Sequence, residues 1–334
     1  MNNNLTNIDI GIDLGGTKIL VLLTDETGAV FARGKSPTLP ERGVQDTIER
    51  LTGLVERVLT DSSAGGKAYR IRSIGIAVAG ILEPVSGTVV LATNLRWRDV
   101  PICSILEKRF SAPARVINDA NAAALGEWRA GAGKGSKDMV FVTVSTGIGG
   151  GIVSGGRLIL GASDSAAELG HISIDRSGPL CACGNRGCIE MYAAGHSIVR
   201  LAKEGITKGQ ADGTAILKAC GDDLDALTAE HVATAASSGN ELAKNIIANA
   251  GTALGQGIVS MIHLINPRLV ILGGGVSRIG GLLLEPMKRV VQEQGIPGLV
   301  DQVSLLPAKL GEEAGGVGAA MWRQYEVDSL SGCV

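Results

Sequence analysis

The sequence predicts a two-domain α/β protein. Three observations carry that reading. The chain has 334 residues, about twice the length of an ordinary domain. Short β-type runs alternate with stretches of helical periodicity. A strand, glycine turn and strand at residues 8–24 return in looser form at 139–153.

Ile8-Asp9-Ile10-Gly11-Ile12-Asp13 alternates with period two and reads as a strand. Leu14-Gly15-Gly16-Thr17-Lys18 is a turn, Ile19 to Thr24 a second strand, and Ala29 to Gly34 a third, closing a meander. Val44, Ile48, Leu51, Val55, Val58 and Leu59 share one helical face. Ile71 to Ala79 has the length and character of a buried strand. Ala114 to Ile117 is another strand, ending at Asn118-Asp119 before a helix over 120–130. Met139 to Ser145 leads into Gly147-Ile148-Gly149-Gly150-Gly151, and Gly151 to Val153 pairs with Arg157 to Leu160 as a hairpin. Leu242 to Ile265 keeps helical spacing up to Asn266-Pro267. Leu269 to Leu272 is a strand before Gly273-Gly274-Gly275, and Glu313 to Tyr325 a final helix. A domain boundary falls just after the start of the 120–130 helix.

Composition removes several function classes. Glycine supplies 48 residues, roughly twice average usage, yet without the G-X-Y period of collagen. Lys and Arg total 31 against 33 Asp and Glu, so the basic excess of a nucleic-acid binder is missing. Phe, Tyr and Trp number three each, too few for single-strand stacking platforms. The longest apolar stretches, such as Ile74 to Leu82, fall far short of the roughly twenty residues of a membrane span. Met1-Asn2-Asn3-Asn4 lacks the charged and apolar regions of a secretory leader. Cys181, Cys183 and Cys188 cluster while Cys103, Cys220 and Cys333 scatter, which is no disulfide framework. The expectation is a cytoplasmic protein with neither nucleic-acid nor membrane partners.

Asp13-Leu14-Gly15-Gly16-Thr17-Lys18 leaves a strand through a tight turn. Successive backbone N–H groups in such a turn form an anion nest. Thr17 adds a hydroxyl, Lys18 a cation, and Asp13 a carboxylate suited to Mg²⁺; a plain hairpin turn would use the same glycines. Ser145-Thr146-Gly147-Ile148-Gly149-Gly150-Gly151 repeats the pattern. Two such turns clamp a polyphosphate from both sides, although neither fits the Walker loop or the dinucleotide fingerprint. Gly273-Gly274-Gly275 is flat enough to lie against a nucleoside, or simply closes a buried strand. Asn118-Asp119 suits a helix N-cap, and Asp119 equally suits a base that takes a proton from a substrate hydroxyl in phosphoryl transfer. His171 with Cys181, Cys183 and Cys188 makes a closed tetrahedral zinc set, hence a structural one; the other reading is unligated surface thiols. Glu168 and Glu190 flank that set, as acceptors for sugar hydroxyls or as solvated carboxylates.

These segments, in this order, resemble the ROK family (repressor, open reading frame, kinase). The matching stretches are Asp13 to Lys18, Asn118 to Ala123, Ser145 to Gly151, Glu168 to His171, Cys181 to Glu190 and Leu272 to Gly275. The resemblance implies a ribonuclease H-like, actin-like ATPase and sugar-kinase fold of two α/β domains around an interdomain cleft. Residues 1–121 with 314–334 would form the small domain and 122–313 the large one. ATP with Mg²⁺ would be held by Asp13, Gly15, Gly16, Thr17, Lys18, Thr146, Gly147, Gly149, Gly150, Gly274 and Gly275. Asp119 matches the catalytic base. Gly80, Asn94, Asn118, Asp119, Glu168, His171 and Glu190 match sugar-binding positions, with His171 serving zinc as well. The implied activity is an ATP-dependent hexose kinase of carbohydrate metabolism. Thr93 to Val100 is similar to the glucokinase branch; the alternative is an N-acetylmannosamine or N-acetylglucosamine kinase. Assembly as a homodimer or homotetramer is expected. A repressor of the same family needs a DNA-reading extension before the first strand, which here begins by residue 8; a non-catalytic sugar sensor would not need Asp119. Ala167, Ala182 and Ala194 depart from the family, Ala167 and Ala182 standing where glycine is common and Ala194 where serine is usual.

Overall fold

The computed structural model describes residues 5–64 and 68–331; Met1-Asn2-Asn3-Asn4 and Cys333 lie outside the described residues. The chain opens with β1 (Thr6–Leu14), β2 (Lys18–Thr24), β3 (Val30–Pro37) and helix α1 (Val44–Ser62). Then come β4 (Tyr69–Val78), the short strands β5 (Ile81–Glu83), β6 (Thr88–Ala92) and β7 (Trp97–Val100), α2 (Ile102–Phe110), β8 (Ala114–Asn118) and α3 (Asp119–Arg129). β9 (Met139–Val144), β10 (Ile148–Ser154) and β11 (Arg157–Leu158) follow. A helical stretch comprises α4 (Glu190–Ala193), α5 (Gly195–Thr207), α6 (Gly213–Ala219), α7 (Ala229–Ser237) and α8 (Glu241–Ile265). Last are β12 (Leu269–Gly273), α9 (Gly281–Gln294), α10 (Pro297–Val300), β13 (Ser304–Pro307) and α11 (Ala314–Ser331).

The elements divide into two compact units. Met1–Lys137, Gly151–Ala167 and Ala308–Val334 form the first; Asp138–Gly150 and Glu168–Pro307 form the second. The first unit holds a sheet of order β3-β2-β1-β4-β8. β2 and β3 run antiparallel in the predicted meander, while β1, β4 and β8 are parallel. The register sets Leu14 beside Val78 and Val78 beside Asn118, so the three parallel strands end together.

Alternation along the strands feeds both faces of this sheet. Ile8, Ile10, Ile12, Ile19, Val21 and Leu23 share one core with Ile48, Leu51, Leu54, Val55 and Val58 of α1. That helical stripe is the one the 3.6-residue spacing predicts. Leu51 is fully buried, and its truncation to alanine would cost about 2–5 kcal/mol. Leu20 and Leu22 face the opposite way, against Val317 of α11. There the helix backbone lies directly on the sheet. A Cβ on Gly11 would sit 1.9 Å from the Gly316 carbonyl oxygen, and one on Gly75 1.8 Å from that of Ala319. Part of the glycine excess is therefore close helix–sheet packing.

In the second unit β12 pairs in parallel with both β9 and β13, setting Gly273 beside Thr143. The long α8 begins at Asn240, whose side chain accepts from the Ala243 N–H (2.9 Å), and ends at Asn266 in the left-handed region, just before Pro267. The predicted strands, the 44–59 and 242–265 helices and the hairpin through Gly155-Gly156 all occur. The small β5–β7 sheet and the helices α2, α5, α6, α7 and α9 are additions. Among the described residues no helix is long and apolar enough to cross a membrane.

Candidate active site

Two sets of functional side chains stand at strand ends, one in each unit. In open α/β sheets ligands bind beyond the carboxyl ends of the strands.

In the first unit those ends bring Asp13, Gly80, Asn118 and Asp119 to one edge of the sheet. The turn after β1 closes through a hydrogen bond from the Gly15 N–H to the Lys18 carbonyl (3.0 Å). Thr38 braces it: its hydroxyl donates to the Gly15 carbonyl (2.6 Å), and its N–H donates to that of Thr17 (3.0 Å). Neither Gly15 nor Gly16 has a positive φ. Gly16 is needed for closeness instead, since a Cβ there would lie 3.0 Å from the Asn94 carbonyl oxygen. Thr17 and Lys18 are exposed.

The Asp13 carboxyl lies on the α11 face of β1, and a Cβ on Gly315 would come within 3.0 Å of its Oδ2. Burial pushes this group up to about 6; the negative charge of Asp119 adds to the shift and Lys18 opposes it. The two acids that the sequence separates by more than a hundred residues are thus electrostatic neighbours. Such a pair is suited to a hard divalent cation. Lys18 Nζ donates to Glu312 Oε2 (2.8 Å), and Lys35 pairs with the same carboxylate. These bonds hold Glu312 down at about 2.

Asn118 and Asp119 divide the roles that the sequence left open. Asn118 is the N-cap of α3, accepting from the N–H groups of Ala120 (3.0 Å) and Asn121 (3.1 Å). Asp119 is the first helical residue, half-buried, with Oδ1 accepting from the Ala120 N–H (2.9 Å). Its carboxylate therefore stands at the N-terminal end of α3. Gly80, just beyond β4, has φ 147° and would press a Cβ to 2.3 Å from the Leu91 carbonyl oxygen.

In the second unit the turn after β9 exposes Ser145 and Thr146. Its carbonyls are tied to the start of α5: the Gly195 N–H donates to Ser145 (2.8 Å) and His196 Nδ1 to Thr146 (2.7 Å). The Ile148 N–H donates to Glu190 Oε2 (3.0 Å), and a Cβ on Gly147 would lie 2.7 Å from the same oxygen. Gly149 follows in β10; a Cβ on Gly150 would meet the Phe141 carbonyl oxygen at 2.6 Å. Beyond β12, Gly274 has φ 86° and would drive a Cβ to 2.2 Å from the Val144 carbonyl oxygen, whereas Gly275 borders open space.

His171, Cys181, Cys183 and Cys188 converge, with their ligand atoms all within 4.8 Å of one another. His171 Nδ1 lies 3.5 Å from Cys181 Sγ, and the sulfurs of Cys183 and Cys188 are 3.7 Å apart. A tetrahedron with zinc–sulfur bonds of about 2.3 Å has edges of about 3.8 Å, so this N,S₃ set fits a zinc ion. Burial, with the neighbouring thiols adding, pushes Cys188 up to about 12. The hydrogen bond from the Asn185 backbone lowers exposed Cys183. The loop folds back because Gly187 takes φ 64° and passes against Asp175, where a Cβ would be 1.8 Å from the carbonyl oxygen. His171 Nε2 points the other way, 3.9 Å from Glu168 Oε2.

Sequence reasoning missed several contributors. Glu312 carries no motif, and its role follows only from the return of α11. That return is fixed by buried Glu127, which accepts from the N–H groups of Lys309 (3.1 Å) and Leu310 (2.7 Å). His196 and Thr38 brace backbone carbonyls, a task open to many residue types.

The chain matches the ROK family over residues 9–326. It is 36% identical over 312 residues to a glucokinase of Thermotoga maritima, covering 93% of this chain and 95% of that protein. It is 31% identical over 306 residues to a xylose repressor of Caldicellulosiruptor bescii, covering 91% of this chain and 75% of the repressor. A ROK family glucokinase from Streptomyces griseus, solved with glucose and AMPPNP, superposes with a TM-score of 0.80 at 35% identity, covering 95% of this chain and 99% of the other. The shared architecture bears out the ribonuclease H-like α/β fold expected from the sequence.

Proposed function

The chain belongs to the ROK family, and on that premise we propose that it is an ATP-dependent hexose kinase, a glucokinase acting at the 6-hydroxyl. The observation that carries the reading is the acid pair: Asp119 at the head of α3 beside Asp13, whose carboxyl is raised to about 6. Asp119 takes the hydroxyl proton as the sugar oxygen attacks the γ-phosphorus; the bond from that phosphorus to the bridging oxygen breaks and ADP leaves. Lys18 and the backbone of both glycine turns offset the phosphate charge. Mg²⁺ held at Asp13 would supply further neutralisation of the nucleotide phosphates. Asn94, Asn118, Glu168, His171 and Glu190 hold the sugar hydroxyls, with Gly80 leaving room. Gly274 and Gly275 lie against the nucleoside. His171, Cys181, Cys183 and Cys188 would hold a structural zinc ion, which would steady the imidazole whose other nitrogen faces Glu168.

Glucose is favoured over the acylated hexosamines by the identity with glucokinases over nearly the whole chain. The xylose repressor likeness supports a second reading, a sugar-responsive DNA-binding regulator. A coupled ADP-release assay over hexoses and acylated hexosamines separates these. Turnover highest with glucose is expected. Turnover highest with N-acetylmannosamine moves the assignment to that kinase, and sugar binding without turnover, joined to salt-sensitive DNA binding, moves it to the regulator. We further propose a homodimer or homotetramer in the cytoplasm, to be read by sedimentation and fractionation.

A further inference from the structure

A cavity of about 740 Å³ opens in the first unit at the opposite end of the sheet from Asp13. It exists because β4 outruns β8. Their pairing begins with Ile74 beside Ala114, so residues 69–73 keep an open strand edge. Phe110 and Pro113, from the end of α2 and the approach to β8, form one wall. Arg323 of α11 forms another and donates to the Arg72 carbonyl on the open edge.

Three arginines line this cavity, Arg70, Arg72 and Arg323. The acid among its lining residues is Asp9, which is buried and already bonded to Arg72 and to the Ser73 hydroxyl (2.8 Å). Arg72 is thereby neutralised. Arg323 has spent one N–H on a carbonyl. Arg70 is exposed, and its side chain has no ion-pair or hydrogen-bond partner among the described residues. Arg70 and Arg323, with no ion-pair partner among the described residues, thus line one cavity in a chain whose net charge is −2. A concave site walled by low-dielectric protein focuses such a field.

Guanidinium forks grip phosphate and carboxylate through paired N–H groups. The half-buried rings of Tyr69 and Phe110 add apolar surface for an organic body. Tyr69 offers only its ring, because its hydroxyl donates to the Ser62 carbonyl (2.9 Å). The volume lies within the range of small-molecule sites.

We propose that this cavity binds a small phosphomonoester, with the phosphate held between Arg70 and Arg323 and the organic part against Tyr69 and Phe110. The site is separate from the catalytic residues and does not depend on the kinase reading.

The test is calorimetry on the full chain with glycerol 3-phosphate, a phosphomonoester that lacks a sugar ring, and with citrate as a carboxylate probe. Glycerol 3-phosphate is expected to bind the wild type, with affinity falling about tenfold or more in both Arg70→Ala and Arg323→Ala and unchanged in Lys18→Ala. Removal of exposed Arg70 leaves the fold intact, which a thermal melt of that variant checks. Affinity lost in Lys18→Ala but kept in both arginine variants overturns the proposal in favour of the nucleotide turn. Tighter binding of citrate than of the phosphomonoester, or no binding of glycerol 3-phosphate, also overturns it.

Discussion

Glu190 Oε2 accepts a hydrogen bond from the backbone N–H of Ile148 at 3.0 Å. The bond joins the segment that follows the cysteine loop to the glycine turn that follows β9. Gly147 leaves room for it, because a Cβ there would intrude on the same oxygen. One carboxylate therefore supports the turn assigned to phosphate and stands among the residues assigned to sugar. A hydrogen bond to a charged group is worth about 1.5–3 kcal/mol. Glu190→Ala is expected to raise KM for the sugar by roughly 10–100-fold and to raise KM for the nucleotide as well. Steady-state kinetics with each substrate varied in turn reads both. A nucleotide KM equal to the wild type would show that the bond does not shape the turn.

The division of labour between Asn118 and Asp119 makes their variants separable. Asp119→Asn removes the base and leaves the cap, so kcat should fall by about 10²–10⁴-fold with little change in melting temperature. Asn118→Ala removes the acceptor for two N–H groups, which costs about 0.5–2 kcal/mol of stability. Paired melts and turnover measurements distinguish them. An unimpaired kcat in Asp119→Asn would remove Asp119 from the chemistry.

What the sequence revealed depended on how local the signal was. The strand that ends at Asp13 and the turns at Gly15 and Gly147 are written in adjacent residues, as is the Cys-x-Cys loop. The partnership of Asp13 with Asp119 is not local, because parallel strands from distant segments align those ends. Glu312 reaches Lys18 only through the course of α11 over the sheet. Strands β5 to β7 escaped detection because short runs broken by turns carry little periodicity. The reason for Gly16 is not local either: its φ is not positive, and a Cβ there would crowd the Asn94 carbonyl oxygen, far away in sequence.

Asp13 should make stability depend on pH with an unusual sign. Its carboxyl ionises near 3.8 when unfolded and near 6 in the folded chain. Between those values the folded state binds more protons, so stability falls as pH rises through the window and levels off above about 6. The full effect is at most about 3 kcal/mol. Without added Mg²⁺, Asp13→Asn is expected to be more stable than the wild type at neutral pH, to lose the slope between about pH 4 and 6, and to lose turnover. Urea titrations across pH measure the first two effects. A variant less stable than the wild type at pH 7 would contradict the burial of an unfavourable charge.

Ala167 takes φ 68°. An L-residue in that region costs about 1–2 kcal/mol, of which glycine's greater unfolded-state freedom cancels part. Ala167→Gly is therefore expected to stabilise the chain by about 0.5–1 kcal/mol, read as a higher denaturation midpoint. The substitution precedes Glu168, so any change in sugar KM would report how closely this backbone sets that carboxylate.

The cysteine loop offers the most direct test of an implied metal. Four ligand atoms within 4.8 Å of one another should hold about one zinc per chain, measured by elemental analysis of protein prepared without chelator. Cys183 is exposed, and serine at that position keeps the volume but removes a thiolate ligand. Cys183→Ser should lose the metal, and with it folding energy on the order of 10 kcal/mol within this segment. Freed from zinc at Nδ1, His171 would no longer hold Nε2 toward Glu168, so sugar affinity should fall together with the metal content. Zinc lost without a change in sugar affinity would confine the ion to a structural role remote from the substrate, and a fully active, metal-free wild type would contradict the metal site itself.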